Sequence, residues 1–388
     1  MQAAVGTELI VLGDQGVLFH EPAQRLYRLN TAATYIWCLL EDGLAEEEIK
    51  ASLQETFSLS LDEAVEFYCQ SEAAWNDIGV LAGSPAVVFD GEVMPPEPDL
   101  IGIEMSAIEF VAEREYSLLS SVIRMRFTAE SQLQVVDPVL RHLQNNKSLP
   151  VAVTLDVVSH DGRIFLCRDG QVCLSCDDVI SLAPLAKSLV WQTAVINHDF
   201  FLDIHAGVVS DGKQCFVFPA APGSGKSTLV TALVANGFEF FSDEIALIHE
   251  EGFTVSPAPL SICVKDAGVD VIADYYPAVK ALQRHHRSDG KWVRYLPPPP
   301  ESIAAPDAVL PVGAIVFPQY NPDAETCLSR IESIDALQRL MDECLIVSSQ
   351  LDIEKVRQLV AWIDATPCYA LQVSDSNAAV AFVRALAD

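Results

Sequence analysis

VFPAAPGSGKSTL, from Val217 to Leu229, is the stretch from which the fold of this chain can be inferred, because an apolar run enters a turn of small residues and a helical pattern leaves it. In a phosphate-binding loop, glycines let backbone N–H groups converge on phosphate oxygens. A lysine reaches the β- and γ-phosphates, and the next hydroxyl holds Mg²⁺. The predicted phosphate-binding residues form one run: Pro222, Gly223, Ser224, Gly225, Lys226, Ser227 and Thr228.

The residues on either side of this loop fit the same interpretation. Residues 205–218 predict a strand, an Asp-Gly turn and a second strand, and residues 227–236 predict a helix closed by Gly237. One residue departs from the usual pattern. Ala220 stands where a glycine is usual, six residues before the lysine, and a positive φ there would be strained. A chance glycine-rich turn is the alternative, but Gly-Ser-Gly-Lys-Ser-Thr rarely arises by accident.

An acidic pair and a histidine flank the loop in sequence. Asp243 and Glu244 lie between two hydrophobic runs after the predicted helix. Phosphoryl transfer needs a metal ligand and a base, and the protein contributes mainly positioning and charge neutralisation. A solvated acidic pair at a strand junction is the alternative. His205 begins the hairpin that leads into the loop and is a candidate catalytic residue, although a lone histidine is more often structural.

Composition excludes several classes of function. The chain has 388 residues and a net charge of −30, which argues against nucleic acid as a ligand. No apolar run approaches the roughly 18 residues of a membrane helix, and no signal segment precedes the first elements. The ten cysteines form no regular framework, and the one close pair, Cys173 and Cys176, lacks the partners of a zinc site. We therefore expect a cytoplasmic protein that neither enters a membrane nor binds nucleic acid.

The first 85 residues predict a short β-hairpin or three-stranded start followed by amphipathic helices over 30–40, 46–57 and 61–78. Gly79-Val-Leu closes the unit. The order of these patterns resembles the winged-helix-like proteins related to pyrroloquinoline-quinone protein D (PqqD), also called the RiPP recognition element. That resemblance implies binding of the leader segment of a precursor peptide along a strand edge and a helix. A purely structural helical domain is the alternative, since amphipathic stripes usually form core.

The rest of the chain is predicted as a linker, residues 86–114, and one domain, residues 115–388. The motif order in this domain resembles the HPr kinase/phosphorylase family, more closely its HPr-kinase-related branch. The motifs are His205-Ala-Gly-Val-Val, the loop up to Thr228, the segment from Phe241 to Glu244, and Pro257-Ala-Pro-Leu-Ser-Ile. The resemblance implies a fold core shared with ATP-dependent phosphoenolpyruvate carboxykinase, and transfer of a phosphoryl group from ATP to a serine hydroxyl of a protein.

The same resemblance implies roles for individual residues. Lys226 would bind the β- and γ-phosphates, Ser227 and Asp243 would hold Mg²⁺, and His205 would lie beside the acceptor. The family usually has two aspartates where this chain has Asp243 and Glu244. Which acid is the base stays open, because base catalysis depends on reach, and Glu244 is favoured. Two further cations, Lys265 and Arg294, are candidates for contacts with the transferring group, although surface cations are more often merely solvated.

Together the patterns predict an α/β (α+β) protein: a PqqD-type domain followed by an HPr-kinase/carboxykinase-like P-loop domain. The predicted activity is ATP- and Mg²⁺-dependent phosphorylation of a hydroxyl on a peptide or small protein, such as the precursor of a RiPP. Two alternatives stay open. One is a catalytically degenerate nucleotide-binding peptide chaperone, suggested by Ala220 and Glu244. The other is a small-molecule kinase, since a fold does not determine the acceptor. Assembly into a homo-oligomer is also open.

Overall fold

The structure, a computed structural model, describes residues 1–85, 108–145, 149–196, 198–343, 345–346 and 350–387. These residues form an α+β fold. Its strands are β1 (Thr7–Leu12), β2 (Gln15–His20), β3 (Arg25–Leu29), β4 (Ala112–Leu118), β5 (Ser121–Phe127), β6 (Val153–His160), β7 (Arg163–Arg168), β8 (Gln171–Cys176), β9 (Leu202–Ile204), β10 (Ala206–Ser210), β11 (Cys215–Pro219), β12 (Glu239–Ser242), β13 (Ala246–Ile248), β14 (Thr254–Ser256), β15 (Ile262–Lys265), β16 (His285–His286), β17 (Trp292–Leu296), β18 (Leu310–Tyr320), β19 (Cys327–Arg330), β20 (Leu345–Ile346) and β21 (Cys368–Val373).

The helices are α1 (Thr31–Glu41), α2 (Glu46–Phe57), α3 (Leu61–Asp77), α4 (Glu130–Leu140), α5 (Leu182–Val195), α6 (Lys226–Ala235), α7 (Val269–Ala273), α8 (Ser333–Glu343), α9 (Ile353–Ala365) and α10 (Ser376–Ala385). Within the described ranges, none of them combines the length and the apolar character that a bilayer crossing requires.

The chain divides into two compact units. The first unit contains the described residues of Met1–Val93, Ile331–Asp342 and Ser349–Pro367. The second contains those of Met94–Arg330, Glu343–Ser348 and Cys368–Asp388. This division differs from the sequence prediction of a domain at 1–85 and another at 115–388, because two C-terminal helices, α8 and α9, belong to the first unit. Most of the predicted linker 86–114 lies outside the described residues, and its last residues begin β4.

In the first unit, β1, β2 and β3 form an antiparallel sheet in that order. The three helices that follow begin where the sequence predicts. The Asn30 side chain accepts a hydrogen bond from Ala33 N and caps α1, and Ser60 and Glu63 form a capping box at α3. Trp37 and Trp75 meet edge to face with their rings 4.9 Å apart in the core between these helices.

Both faces of this small sheet are covered. Successive side chains of a strand point to opposite faces, yet β2 is buried from Gly16 to His20 without alternation. Leu18 belongs to the core with α1 to α3. On the opposite face, Arg28 pairs with Asp335 of α8 at 2.7 Å, and Arg357 of α9 pairs with Glu8 of β1. The C-terminal helices α8 and α9 therefore complete the N-terminal unit.

In the second unit, β4 to β8 form a five-stranded sheet in chain order, with one parallel pair, β5 and β6. Helices α4 and α5 share a hydrophobic core with it. The sequence predicts a helix over 137–143, beginning at Asp137-Pro138. The structure instead begins α4 at Glu130 and carries Pro138 inside the helix, so the proline does not mark its first turn.

A ten-stranded mixed sheet carries the loop. Its main order is β12-β10-β11-β18-β14-β13-β9-β20, and β21 pairs with both β18 and β19. The strands β11, β18 and β21 are parallel neighbours, so their carboxyl ends lie at one edge. Helices α6 and α10 pack in the same core.

A third sheet of the second unit, β15-β17-β16, includes His285 and His286, for which the sequence predicts a solvated turn. His285 is buried there.

Candidate functional site

The loop between β11 and α6 has the backbone that its glycines predict. Gly223 and Gly225 have φ values of +106° and +90°, in the left-handed region that favours glycine, and α6 begins at Lys226. Ala220 lies outside that region. The strain that the sequence suggests at this position is therefore absent, and alanine is compatible with the loop.

A glycine in β10 allows α6 to approach the sheet. A Cβ added at Gly207, in the middle of β10, would lie 2.5 Å from Cγ2 of Val230 and 3.3 Å from Cγ of Lys226. The first distance is shorter than side chains tolerate, so α6 can lie this close to β10 only because residue 207 is glycine. The His205-Ala-Gly motif thus contributes packing space as well as a histidine.

Lys226 and His205 meet directly. Lys226 Nζ lies 2.9 Å from His205 Nε2. An ammonium can only donate, so Nε2 accepts and the imidazole is neutral. Burial, followed by the positive charge of Lys226, lowers the pKa of His205 to about 4. The ring also hydrogen-bonds the main chain of Glu244. The loop lysine and the hairpin histidine therefore form one unit beside the acidic pair.

Ser227 and Asp243 also come together. Asp243 Oδ2 accepts hydrogen bonds from Ser227 Oγ at 2.9 Å and from the main-chain N–H of Cys263 at 3.1 Å. The other oxygen, Oδ1, is buried and has no hydrogen-bond partner. Burial raises the pKa of Asp243 to about 6. The Ser227 hydroxyl near the start of α6 and the buried Asp243 oxygen without a partner are oxygen ligands of the kind that Mg²⁺ prefers.

Glu244 has a partner that the sequence analysis missed. Lys187 of α5 forms an ion pair with it, and the Lys187 side chain is only 5% exposed, whereas the Glu244 side chain is 31% exposed. Burial alone would raise the pKa of Glu244, but the positive charges of Lys187 and Lys226 hold it below its usual value. Glu244 is therefore ionised at neutral pH.

A signal for Lys187 exists in the sequence. It is the one charged residue of α5, and it falls on the same helical face as the buried residues Ala183, Val190 and Ala194. A charge on an apolar face requires a partner. The sequence cannot show that the partner is Glu244, because 57 residues separate the two.

The two other cations that the sequence predicts, Arg294 and Lys265, differ in their surroundings. Arg294 of β17 donates to Asp266 Oδ1 at 2.8 Å, so its charge is already partly neutralised. Lys265, at the end of β15, contributes to the lowered pKa of His205, which places its charge close to the site.

Cys173 and Cys176 both lie on β8. In the described part of the chain, no group of three or more His, Cys, Asp or Glu residues is arranged to hold a metal ion.

Comparison with known proteins does not identify a family or a function for this chain. No family model matches the chain, and no curated protein matches it. Solved structures that match include TbiB1 in complex with the TbiA(beta) leader peptide. That match has 22% sequence identity, covers 22% of this chain and 100% of that chain, and has a TM-score of 0.21. A similarity of this size carries no argument about function.

Proposed function

We propose that this chain is an ATP- and Mg²⁺-dependent kinase of the HPr-kinase type, which phosphorylates a hydroxyl of a peptide that its N-terminal unit recognises. The supporting observation is the convergence of five side chains at the end of one sheet, from three segments of the chain: the β9–β10 junction, the start of α6 and the turn after β12. They are His205, Lys226, Ser227, Asp243 and Glu244.

Each of these groups has a task in phosphoryl transfer. The positive φ angles of Gly223 and Gly225 turn the backbone around the space that phosphates would occupy, and Lys226 provides the charge that reaches the β- and γ-phosphates. Ser227 and Asp243 would hold Mg²⁺, which when bound neutralises the charge of the phosphates. Lys226 is 8% exposed, so its ammonium acts at a site from which most water is excluded.

The reaction balances with a carboxylate as the proton acceptor. The acceptor hydroxyl oxygen bonds to the γ-phosphorus, the bond from that phosphorus to the β–γ bridging oxygen breaks, and ADP leaves. The hydroxyl proton passes to a carboxylate. Glu244 suits this role because Lys187 keeps it ionised while part of its side chain stays exposed. Asp243 is better placed to bind the metal, because its Oδ2 accepts a hydrogen bond from Ser227 Oγ and the two proposed metal ligands are therefore neighbours.

The proposed peptide partner rests on the first unit. Its sequence resembles the RiPP recognition element, and among the described residues β3 pairs with β2 alone, which leaves one edge for an added strand. A cavity of about 240 Å³ lies beside that strand. Its lining includes the apolar side chains Leu26, Ile334, Leu337 and Met341. An extended peptide on β3 would gain main-chain hydrogen bonds there, and the cavity is large enough for a side chain.

Calorimetric titration with ATP, with and without Mg²⁺, tests the first half of this proposal. Transfer to peptides encoded beside the gene tests the second half. We expect metal-dependent binding, transfer to a hydroxyl, and loss of both with Lys226→Met. The matched control is Lys213→Met, which removes an exposed lysine of the Asp-Gly turn and should change neither. If ATP does not bind, the kinase proposal fails. Binding without transfer to any peptide would instead favour the chaperone.

A further inference from the structure

We infer that Tyr320 is the residue on which the nucleotide base stacks, so that the site selects a nucleoside triphosphate over an inorganic polyphosphate. This inference rests on the proposed function and deepens it. It is carried by where β18 ends, by how Tyr320 is attached to the loop, and by the exposure of its ring.

Strand β18 extends beyond the end of β11. This strand runs parallel to β11, with Val217 level with Ile315. Pro219, the last residue of β11, is two residues past Val217, which makes it level with Phe317. Tyr320 is therefore three residues further on, or about 10 Å at the rise of a strand. The neighbouring strand thus extends past the point where the chain turns into the loop. Ligands of open α/β sheets bind beyond the carboxyl ends of such strands.

Tyr320 is attached to the loop through its main chain. Its main-chain N–H donates to the carbonyl oxygen of Ser224 at 2.9 Å. A Cβ added at Gly225 would lie 3.2 Å from the Cβ of Tyr320, so the two backbones are in close approach. These contacts hold the Cα and Cβ atoms of Tyr320 against Ser224 and Gly225, which directly precede Lys226. The Tyr320 side chain therefore begins next to the predicted phosphate-binding residues.

Tyr320 is also exposed to solvent. From Ala314 to Phe317 the strand is buried, whereas Tyr320 is 54% exposed. A ring that is anchored at its backbone and open on its surface loses little conformational freedom on binding, because only two side-chain torsions remain to be fixed. Every nucleobase has a π-face, so stacking would add affinity for a nucleotide without selecting one base.

The test compares two ligands that share their phosphates. Full-length protein is titrated with Mg²⁺-ATP and with Mg²⁺-tripolyphosphate, as wild type, Tyr320→Ala and Tyr320→Phe. We expect Tyr320→Ala to weaken ATP binding by about tenfold or more and to change the Kd of tripolyphosphate less than about twofold. Tyr320→Phe, which keeps the ring, should bind ATP nearly as wild type does. Val309→Ala, at an exposed apolar residue just before the same strand, is the control and should change neither.

Two outcomes would overturn the inference while the proposed kinase survives. Equal weakening of both ligands by Tyr320→Ala would mean that the residue only shapes the loop. Unchanged ATP binding would mean that the base lies elsewhere. If wild-type protein binds neither ligand, the proposed nucleotide site itself is wrong.

Discussion

The Lys187–Glu244 ion pair is unequal in its exposure, and this inequality determines what each partner contributes. Lys187 is almost fully buried, and Glu244 reaches solvent with about a third of its side chain. Breaking a buried pair is costly chiefly because one charge remains in the interior without compensation. The cost of a substitution therefore depends on which charge is left behind.

We predict that Glu244→Leu destabilises the second unit by about 3–5 kcal/mol, because it leaves the Lys187 ammonium unpaired in the core. Lys187→Met should cost clearly less, since the remaining carboxylate can be hydrated. The double variant should recover most of the stability lost in Glu244→Leu. Midpoints of urea unfolding measure all three. If Lys187→Met proves the more damaging single change, solvent does not reach Glu244 in the way described.

Asp243 allows a prediction about the metal. Asp243→Asn removes a negative charge near the proposed phosphate site and weakens a metal ligand at the same time. We expect affinity for Mg²⁺-ATP to fall towards that for ATP alone, while metal-free binding stays equal or improves because repulsion of the phosphates is reduced.

Ser227→Ala is the companion variant, since it removes the other proposed metal ligand and leaves the charge of Asp243 in place. It should lower the Mg²⁺-dependent part of binding without improving metal-free binding. Calorimetry in Mg²⁺ and in EDTA measures both. Equal losses with and without Mg²⁺ would contradict a metal role for either residue.

For single residues, local sequence predicts the loop between β11 and α6 well, but it does not predict which distant side chains contact the site. The glycine positions, Lys226 and Ser227 follow from spacing within one short segment, and the left-handed angles at Gly223 and Gly225 agree with it. The expectation of strain at Ala220 is wrong because this loop does not require a positive φ at that position. Lys187 was missed because its partner comes from another element of the tertiary structure.

Among the elements, α9 shows how a helix from the end of the chain is held in the first unit. Its buried face consists of Val356, Leu359, Val360, Trp362 and Ile363. On the exposed side, Arg357 pairs with Glu8, and half of the arginine side chain is open to water. Exposed ion pairs contribute little, whereas buried leucines contribute strongly.

We predict that Leu359→Ala destabilises the first unit by about 2–5 kcal/mol and that Arg357→Ala changes its stability by less than about 1 kcal/mol. Fluorescence of the first unit's tryptophans, followed during urea unfolding, reports the difference. If the arginine variant were the less stable one, the attachment of α9 would depend on charge and not on packing.

Sequence patterns predict elements where the signal is local. The bounds of α1, α2 and α3 agree because each has a cap or a clear amphipathic stripe. The predicted start of α4 is too late because a proline favours the first turn of a helix, whereas Pro138 lies within α4. The membership of α8 and α9 in the first unit could not be predicted, since an apolar stripe identifies a buried face but not the surface that covers it.

For the whole molecule, the composition of the first unit changes how peptide recognition should be tested. Removing residues 1–85 would uncover the apolar faces of α8 and α9. We predict that this truncation yields a protein that aggregates or unfolds at lower temperature than the full chain. Size-exclusion chromatography and thermal unfolding measure this. A stable, monodisperse truncated protein would contradict the shared core.

The peptide can be shortened instead. With intact protein, an acceptor peptide without its leader segment should show a much higher KM and a similar kcat, because the leader contributes binding and local concentration but no catalytic group. Equal KM values for the two peptides would argue for recognition of the acceptor by the second unit alone.

The covered sheet of the first unit also has a consequence for synthesis on the ribosome. Its first strands emerge early, but the helices that cover one of their faces are encoded after residue 330. At ordinary elongation rates of about 5–20 residues per second, the wait is on the order of tens of seconds. Throughout that time Val17 and Phe19, both buried in the finished protein, stay exposed to solvent on the nascent chain. Chaperone demand during translation should therefore be set by the order of elements along the gene.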